Sequence, residues 1–225
     1  MSHYRFEHGK AHISLDDGKV NALGTAAIAD LNDRLDQATQ DQASAAIISG
    51  RPGMFCAGFD LKELRSEASA PDRLRVQLID LVLRVFTFEC PVVVACTGHA
   101  LAAGAALLLA GDRRIGIDGA FKLGFNEASL GVSISAATVE LARYRMPMPW
   151  FESLISGTTF SPRGAQSAGL LDHVVDSDAE LTQQAHEAAE TLGHIPRDTF
   201  HEMRRLARAA TIDVMRRERT RLSPS

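Results

Sequence analysis

The chain has three cysteines among its 225 residues, and none of them stands in a CxxC pair. Cys56, Cys90 and Cys96 therefore offer neither the spacing of a zinc site nor a disulfide framework, and no metal is expected. Each lies among apolar neighbours, which predicts buried structural thiols. Reduced thiols fit a cytoplasmic location, which is the location that the sequence favours.

Long apolar runs and an excess of positive charge are also missing. The longest apolar run, Ala100–Ala110, is about half as long as a membrane span. Residues 1–10 contain no apolar stretch of the signal-peptide type. The formal net charge of -4 gives no electrostatic reason to bind nucleic acid. We therefore expect neither a membrane nor a nucleic acid as a partner.

The apolar residues that are present follow strand and helix patterns in alternation. Strands are predicted at 11–15, 45–49, 92–97, 114–117 and 171–175, and helices at 25–40, 72–88, 102–110, 132–144 and 150–156, with the remainder helical. Thr25 is the predicted cap of the first helix. This alternation is typical of a layered α/β architecture with mainly parallel strands. It divides the chain into a core domain, residues 1–175, and a C-terminal helical region, residues 176–225.

The segment 197–221 is rich in arginine. Its arginines include Arg204, Arg205, Arg208, Arg216, Arg217, Arg219 and Arg221. The pattern favours a solvated helix face. A contact with the phosphate groups of an anionic ligand is the alternative. Elsewhere, Asp112 is expected to cap or pair locally, and His99 to be a packed structural histidine.

Three segments carry residues suited to chemistry. Phe55–Lys62 follows a strand and a tight turn, and its small residues let a ligand approach the backbone closely. In 97–107 a bend of small residues opens a helix, whose first N–H groups suit an anion or a developing oxyanion. In 126–131 Glu127 precedes an apolar helix, where burial would raise its pKa and make it a proton shuttle. Each segment also has a structural alternative: the first is a plain loop, the second starts a tightly packed helix, and Glu127 in the third caps a helix. The residues alone do not separate these alternatives from the functional ones.

Together, these three segments resemble the signatures of the crotonase (enoyl-CoA hydratase/isomerase) family. FCAGFDLKEL, from residue 55, resembles the family's F-x-A-G-x-D-L, and GHALAAGAALLLAGD, from residue 98, resembles its second, glycine-rich signature. FNEASLG, from residue 125, resembles N/P-E-x-x-L/I-G. Val20–Leu23 and Gly169–Asp172 match as well, so the resemblance covers roughly residues 13–175. It implies a crotonase-like (ClpP/crotonase) fold, in which repeated ββα units form a spiral core. It also implies a C-terminal helical region involved in trimerisation and pocket cover.

The resemblance also assigns roles to residues. In this family two backbone N–H groups hold the thioester carbonyl of an acyl-CoA, and the matching positions here are Phe59 and Ala103. The family often has glycine at the second of these positions. Glu127 matches the catalytic glutamate. The residues that match substrate and coenzyme A contacts are Val20, Ala22, Ala57, Asp60, Leu61, Lys62 and Asn126. Coenzyme A would enter as part of the substrate, so no separate cofactor is expected, and a homotrimer or dimer of trimers is implied.

The number of carboxylates in the site distinguishes the reactions of the family. Hydratases of this family use two glutamates, and the position of the first is Ala106 here. One carboxylate is enough to move a proton between two carbons, which is the work of a Δ3,Δ2-enoyl-CoA isomerase. That branch also carries Asn before its single Glu, as in Asn126-Glu127. The resemblance therefore implies an isomerase. A hydratase, another enolate-forming acyl-CoA enzyme or a non-catalytic acyl-CoA-binding protein are the alternatives.

Overall fold

The fold is given by a computed structural model that describes residues 2–128 and 131–222. Residues 129 and 130, which belong to the third motif, lie outside the described residues. The strands are β1 Ser2–Glu7, β2 Lys10–Leu15, β3 Ala45–Ser49, β4 Gly53–Cys56, β5 Val92–Cys96, β6 Gly98–Leu101, β7 Arg113–Ile117, β8 Leu123–Gly124, β9 Thr159–Phe160 and β10 His173–Val175. The helices are α1 Thr25–Gln40, α2 Leu61–Leu64, α3 Ala70–Phe86, α4 Ala103–Ala110, α5 Ala136–Arg145, α6 Met148–Ile155, α7 Pro162–Ser167, α8 Asp178–Gly193 and α9 Arg197–Leu222.

The strands form two sheets, and the strands from β3 to β8 alternate between them. The larger sheet has the order β1-β2-β3-β5-β7-β10, and the smaller has the order β4-β6-β8-β9. All neighbours in both sheets are parallel except the pairs β1–β2 and β8–β9. Because β3, β5 and β7 each send the following strand to the small sheet, the chain winds as a spiral of ββα units. This confirms the predicted α/β crotonase-like fold.

The central strands of the large sheet are buried on both faces. Ile13, Ile48 and Val94 point into the main core, where α1 and α3 also bury their apolar faces. Ile47 and Val93 point to the opposite face and pack against Leu181 and other residues of α8. A strand that is covered on both faces reads as a continuous apolar run, which is why β3 and β5 were predictable from the sequence.

Two local predictions were wrong. The helix predicted at 132–144 begins at Ala136, because the Ser135 hydroxyl caps it by accepting a hydrogen bond from the Thr138 N–H. Thr25 does not cap α1, whose N-cap is Gly24 without a side-chain cap. Instead, the Thr25 hydroxyl donates to the Glu63 carboxylate and ties α1 to α2. Because α5 begins only at Ala136, residues 132–135 before it form a loop.

The sequence favoured a solvated helix face for the arginines of α9, but two of these arginines are buried. Arg204 and Arg208 are buried and donate hydrogen bonds to the backbone carbonyls of Phe86 and Phe88. Arg208 also donates to the Asp112 carboxylate at 2.7 Å. The local pairing expected of Asp112 was therefore wrong, because this residue joins α9 to the end of α4, 96 positions away in sequence.

Among the described residues, no helix combines the length and the apolar character that crossing a bilayer requires.

Candidate active site

The loop after β4 is aligned by a short strand-like contact with residue 23. The Leu23 N–H donates to the Gly58 carbonyl at 2.8 Å, and the Asp60 N–H donates to the Leu23 carbonyl at 3.1 Å. The Gly58 carbonyl and the Phe59 N–H belong to one trans peptide group and point in opposite directions, so the Phe59 N–H points away from Leu23. It thereby faces the start of α4.

Two glycines allow this loop and α4 to lie in close contact. A Cβ on Gly104 would lie 2.3 Å from the Cys56 carbonyl oxygen, which no structure tolerates. A Cβ on Gly58 would lie 2.8 Å from the Ala102 Cβ and 3.5 Å from the Ala103 nitrogen. Glycine at both positions therefore lets the backbone at 58–59 approach the first turn of α4.

The first turn of α4 presents backbone donors to the same place. Its first intrahelical bond runs from the Ala106 N–H to the Ala102 carbonyl at 3.1 Å, so the Ala103 N–H has no partner within the helix. Ala102, the N-cap, has a φ of 52° and a ψ of -122°. This turn directs the chain from β6 into the helix. The structure thus brings Phe59 and Ala103 to one cavity, as the resemblance implied.

Glu127 lies just after β8 and faces the same cavity. Its Oε2 atom is buried and has no hydrogen-bond partner among the described residues. Burial raises the pKa of the Glu127 carboxyl above its ordinary value, although backbone N–H groups of Glu127 and Asn126 work in the opposite direction. A glutamate in this state is suited to taking up and returning a proton.

These groups share a cavity of about 360 Å³ with mostly apolar walls. Its lining consists of Phe59, Leu61, Leu64, Arg65, Pro71, Arg75, Leu78, Ala102, Ala103, Ala106, Glu127, Val132, Ser133, Ile134, Ser135 and Thr138. Ala106 therefore occupies the wall of the cavity, where the family's hydratases carry their first glutamate. Glu127 is the one carboxylate among the lining residues that the structure describes.

The residues matched to coenzyme A contacts lie mostly outside this cavity. Leu61 lines it, whereas Val20, Ala22, Ala57, Asp60, Lys62 and Asn126 do not. The Ala57 N–H donates to the Val20 carbonyl at 3.0 Å, so these two segments lie side by side. The Asp60 carboxylate caps α2 by accepting from the Lys62 and Glu63 N–H groups. Asp60 therefore has a structural function that its place in the motif did not reveal.

Sequence reasoning missed the part of the wall that α3 and the loop before α5 supply. Pro71, Arg75 and Leu78 lie four and three residues apart, which places them on one face of α3. The helical spacing was visible in the sequence, but nothing indicated what that face contacts. None of the aromatic residues Phe121, Phe125, Trp150 and Phe151 lines the cavity.

The spiral of ββα units places this chain among the crotonase-fold proteins. The family model for enoyl-CoA hydratase/isomerase matches residues 5–221. The chain therefore belongs to the enoyl-CoA hydratase/isomerase family.

Its relatives include proteins named for both reactions. It is 34% identical over 172 residues to the bovine mitochondrial enoyl-CoA hydratase domain-containing protein 2, a match over 75% of this chain and 58% of that protein. The chain thus spans little more than half the length of that relative. A family protein from Pseudomonas syringae is 37% identical, with a TM-score of 0.94 over 98% of this chain and 95% of that one. The structure of an enoyl-CoA isomerase from Mycobacterium tuberculosis is 31% identical, with a TM-score of 0.93 over 98% and 96% of the two chains.

Proposed function

We propose that this chain is a Δ3,Δ2-enoyl-CoA isomerase, which converts a 3-enoyl-CoA to the 2-trans-enoyl-CoA. The observation that carries the proposal is that Glu127 is the single carboxylate among the described residues of the cavity wall, in which position 106 is an alanine. A proton that leaves one carbon and returns to another needs one acid-base group. Adding water across a double bond needs further groups to position the water and transfer its protons.

The mechanism that we propose starts with the thioester oxygen between the Phe59 and Ala103 N–H groups. Each such donor contributes about 3–4 kcal/mol to stabilising the developing oxyanion. The Glu127 carboxylate removes a proton from C2, and the C–H electron pair passes into the C1–C2 bond and the thioester oxygen as a dienolate forms. The protonated carboxyl then returns a proton to C4. The double bond now joins C2 and C3, and no water or redox partner is consumed.

A hydratase is the second candidate, and two observations favour it. The bovine relative carries hydratase in its name. Ser133, Ser135 and Thr138 are among the lining residues, and their side chains carry hydroxyl groups that could hold a water. The Ser135 hydroxyl already caps α5, however, and the Ser135 and Thr138 hydroxyls lie 3.0 Å apart. This leaves Ser133 as the hydroxyl best placed for such a role.

Turnover of two substrates by the purified protein separates these candidates. We expect conversion of trans-3-hexenoyl-CoA and, on the same protein, at least a hundredfold slower hydration of crotonyl-CoA. Comparable hydration of crotonyl-CoA would replace the isomerase with a hydratase. Inertness toward both, with acyl-CoA esters still raising the melting temperature, would point to a different thioester substrate or to a binding function.

Replacement of the acid-base group tests the mechanism itself. Glu127→Gln should lower turnover about 10²- to 10⁴-fold while leaving the dissociation constant for hexanoyl-CoA nearly unchanged. The base must be ionised, so turnover should fall as pH drops through the raised pKa of Glu127, above the range of an ordinary glutamate. Glu140→Gln is the matched control, because Glu140 bonds to Thr211 on α9 and does not line the cavity. A wild-type pH profile that persists in Glu127→Gln would rule out this role.

The assembly and location of the protein remain predictions. We propose a homotrimer or dimer of trimers, and Met203 and Leu206, 66% and 59% exposed on α9, are apolar side chains that a neighbouring subunit would cover. The mass of the protein in solution tests this. A cytoplasmic location stays an expectation from its three unpaired cysteines.

A further inference from the structure

One face of α3 places an arginine in the apolar wall of the active-site cavity. Pro71, Arg75 and Leu78 share this face, and Leu78 is nearly buried at 6% exposure. Leu64 and Ile134 are further apolar residues of the cavity lining. The Arg75 side chain is 31% exposed, and an alkyl chain lying against its guanidinium would displace water without replacing the hydrogen bonds of that water, so Arg75 indicates what this end of the cavity receives.

The position of Arg75 relative to the thioester follows from the proposed function, on which this inference rests. The thioester lies at the Phe59 and Ala103 N–H groups. Of the residues matched to coenzyme A contacts, Leu61 lines the cavity, whereas Val20, Ala22, Ala57, Asp60 and Lys62 lie outside it. The acyl group therefore extends the other way, toward α3 and the loop before α5. Arg75 belongs to the acyl end.

The charges at the acyl end are positive. Arg65, at the C-cap of α2, lines the cavity together with Arg75. The Arg75 Nη1 donates to Asp72 at 2.9 Å, and among the described residues its other nitrogens make no hydrogen bond. Asp72 does not line the cavity, and it is 61% exposed. Glu218, whose pKa is lowered first by its bond to Arg221 and to a smaller extent by Arg75, lies outside the lining as well.

We propose that the acyl group accepted here is short and ends in a carboxylate, which Arg75 binds with help from Arg65. The substrate class is thus the monothioester of coenzyme A with an unsaturated dicarboxylic acid. A guanidinium offers paired N–H donors that match a carboxylate, and such charge-assisted pairs are among the stronger hydrogen bonds. The cavity volume of about 360 Å³ lies at the small end for ligand sites, which limits the chain length.

Binding of saturated thioesters tests the inference without depending on turnover. We would measure the dissociation constants of adipoyl-CoA, hexanoyl-CoA and free coenzyme A by titration calorimetry. The first two have acyl chains of equal length and differ in the terminal carboxylate. Wild-type protein should bind adipoyl-CoA about tenfold or more tightly than hexanoyl-CoA. Arg75→Leu should abolish this preference, and Arg75→Lys should retain part of it.

Arg84→Leu is the matched control. Arg84 lies on the same helix, is 28% exposed against 31% for Arg75, and pairs with Asp36 away from the cavity. It should keep the wild-type preference. Equal affinities of the two thioesters for wild-type protein would overturn the inference. So would an Arg75→Leu variant that weakens adipoyl-CoA, hexanoyl-CoA and coenzyme A by the same factor, since Arg75 would then contact the coenzyme A portion. Neither outcome bears on whether 3-hexenoyl-CoA is isomerised, so this inference and the proposed function can fail separately.

Discussion

Ala102 holds a backbone conformation that alanine rarely adopts, with a φ of 52° and a ψ of -122°. Such a conformation costs a residue with a Cβ about 1–3 kcal/mol, whereas glycine adopts it freely. Ala102→Gly also makes the unfolded chain more flexible, which offsets part of the gain. We expect a net stabilisation of about 1 kcal/mol, seen as a rise of about 2–4 °C in the melting temperature.

The control for Ala102→Gly is the same substitution inside the helix. Ala105 is buried in α4, where its backbone is helical, so Ala105→Gly should destabilise the protein by about 1 kcal/mol. The two variants thus differ in sign for an identical change of side chain. A melting temperature that falls equally in both would show that the turn at Ala102 is not strained.

Single residues also show how far the sequence could predict the site. The motifs led to Phe59, Ala103 and Glu127, and the structure places all three at one cavity. The motifs also made Ala103 the notable departure from glycine, yet the positive φ falls one residue earlier, at Ala102. Backbone dihedral angles leave no mark on an alanine in a sequence. Arg75 was missed for a different reason, because it belongs to no motif and only tertiary packing brings α3 to the cavity.

At the scale of elements, continuous apolar runs decided what could be predicted, and the six-residue β1 was missed because most of its residues are exposed or half-buried. β3 and β5 are five-residue apolar strands, and both were predicted. β8 and β9 have two residues each, which is too short for any periodicity to appear. β8 and β9 belong to the small sheet together with β4 and β6. β4, β6 and β8 lead into the three motif segments. The sequence therefore predicted the frame better than the elements that position the site.

The packing of α9 depends on a buried cluster of charges. The Asp112 side chain is 6% exposed and accepts a hydrogen bond from Arg208, and Arg204 Nε lies 3.2 Å away but is not aligned to donate. Burial lowers the pKa of Arg204 to about 10, against the opposing effect of Asp112. Asp112→Asn would leave two buried guanidinium groups without their carboxylate. We expect a loss of about 3–5 kcal/mol in the free energy of unfolding, measured by urea denaturation.

An exposed ion pair of the same helix provides the comparison. Arg219 bonds to Asp80 on α3, and the two side chains are 43% and 46% exposed. Asp80→Asn should therefore cost less than about 1 kcal/mol, because water and salt screen the pair. If both variants lost the same small amount, the cluster at Asp112 would not anchor α9 to α4.

The whole molecule has two differently covered faces on its large sheet. α1 and α3 cover one face, and α8 covers only part of the other. Beside α8 lies a cavity of about 520 Å³ where His12 of β2 stacks on His186 at 4.7 Å between ring centroids. The His12 Nε2 is buried without a hydrogen-bond partner among the described residues. Burial lowers the pKa of His12 to about 4, with smaller contributions from His186, Arg5 and Lys10 and an opposing one from Glu7.

This lowered pKa links folding of the whole chain to pH. The unfolded chain takes up a proton on His12 near pH 6.5, whereas the folded protein resists it until about pH 4. The stability that neutral His12 provides is therefore complete above pH 6.5 and is lost as the pH falls toward 4. Between pH 7.5 and 5.0 the wild type should lose about 1 kcal/mol through this residue, allowing for the part of the ring that water reaches. His12→Gln should lose correspondingly less over the same interval in urea denaturation. The exposed His173 gives the control His173→Gln, which should follow the wild type, and an unchanged pH dependence in His12→Gln would show that the stacked pair does not link folding to pH.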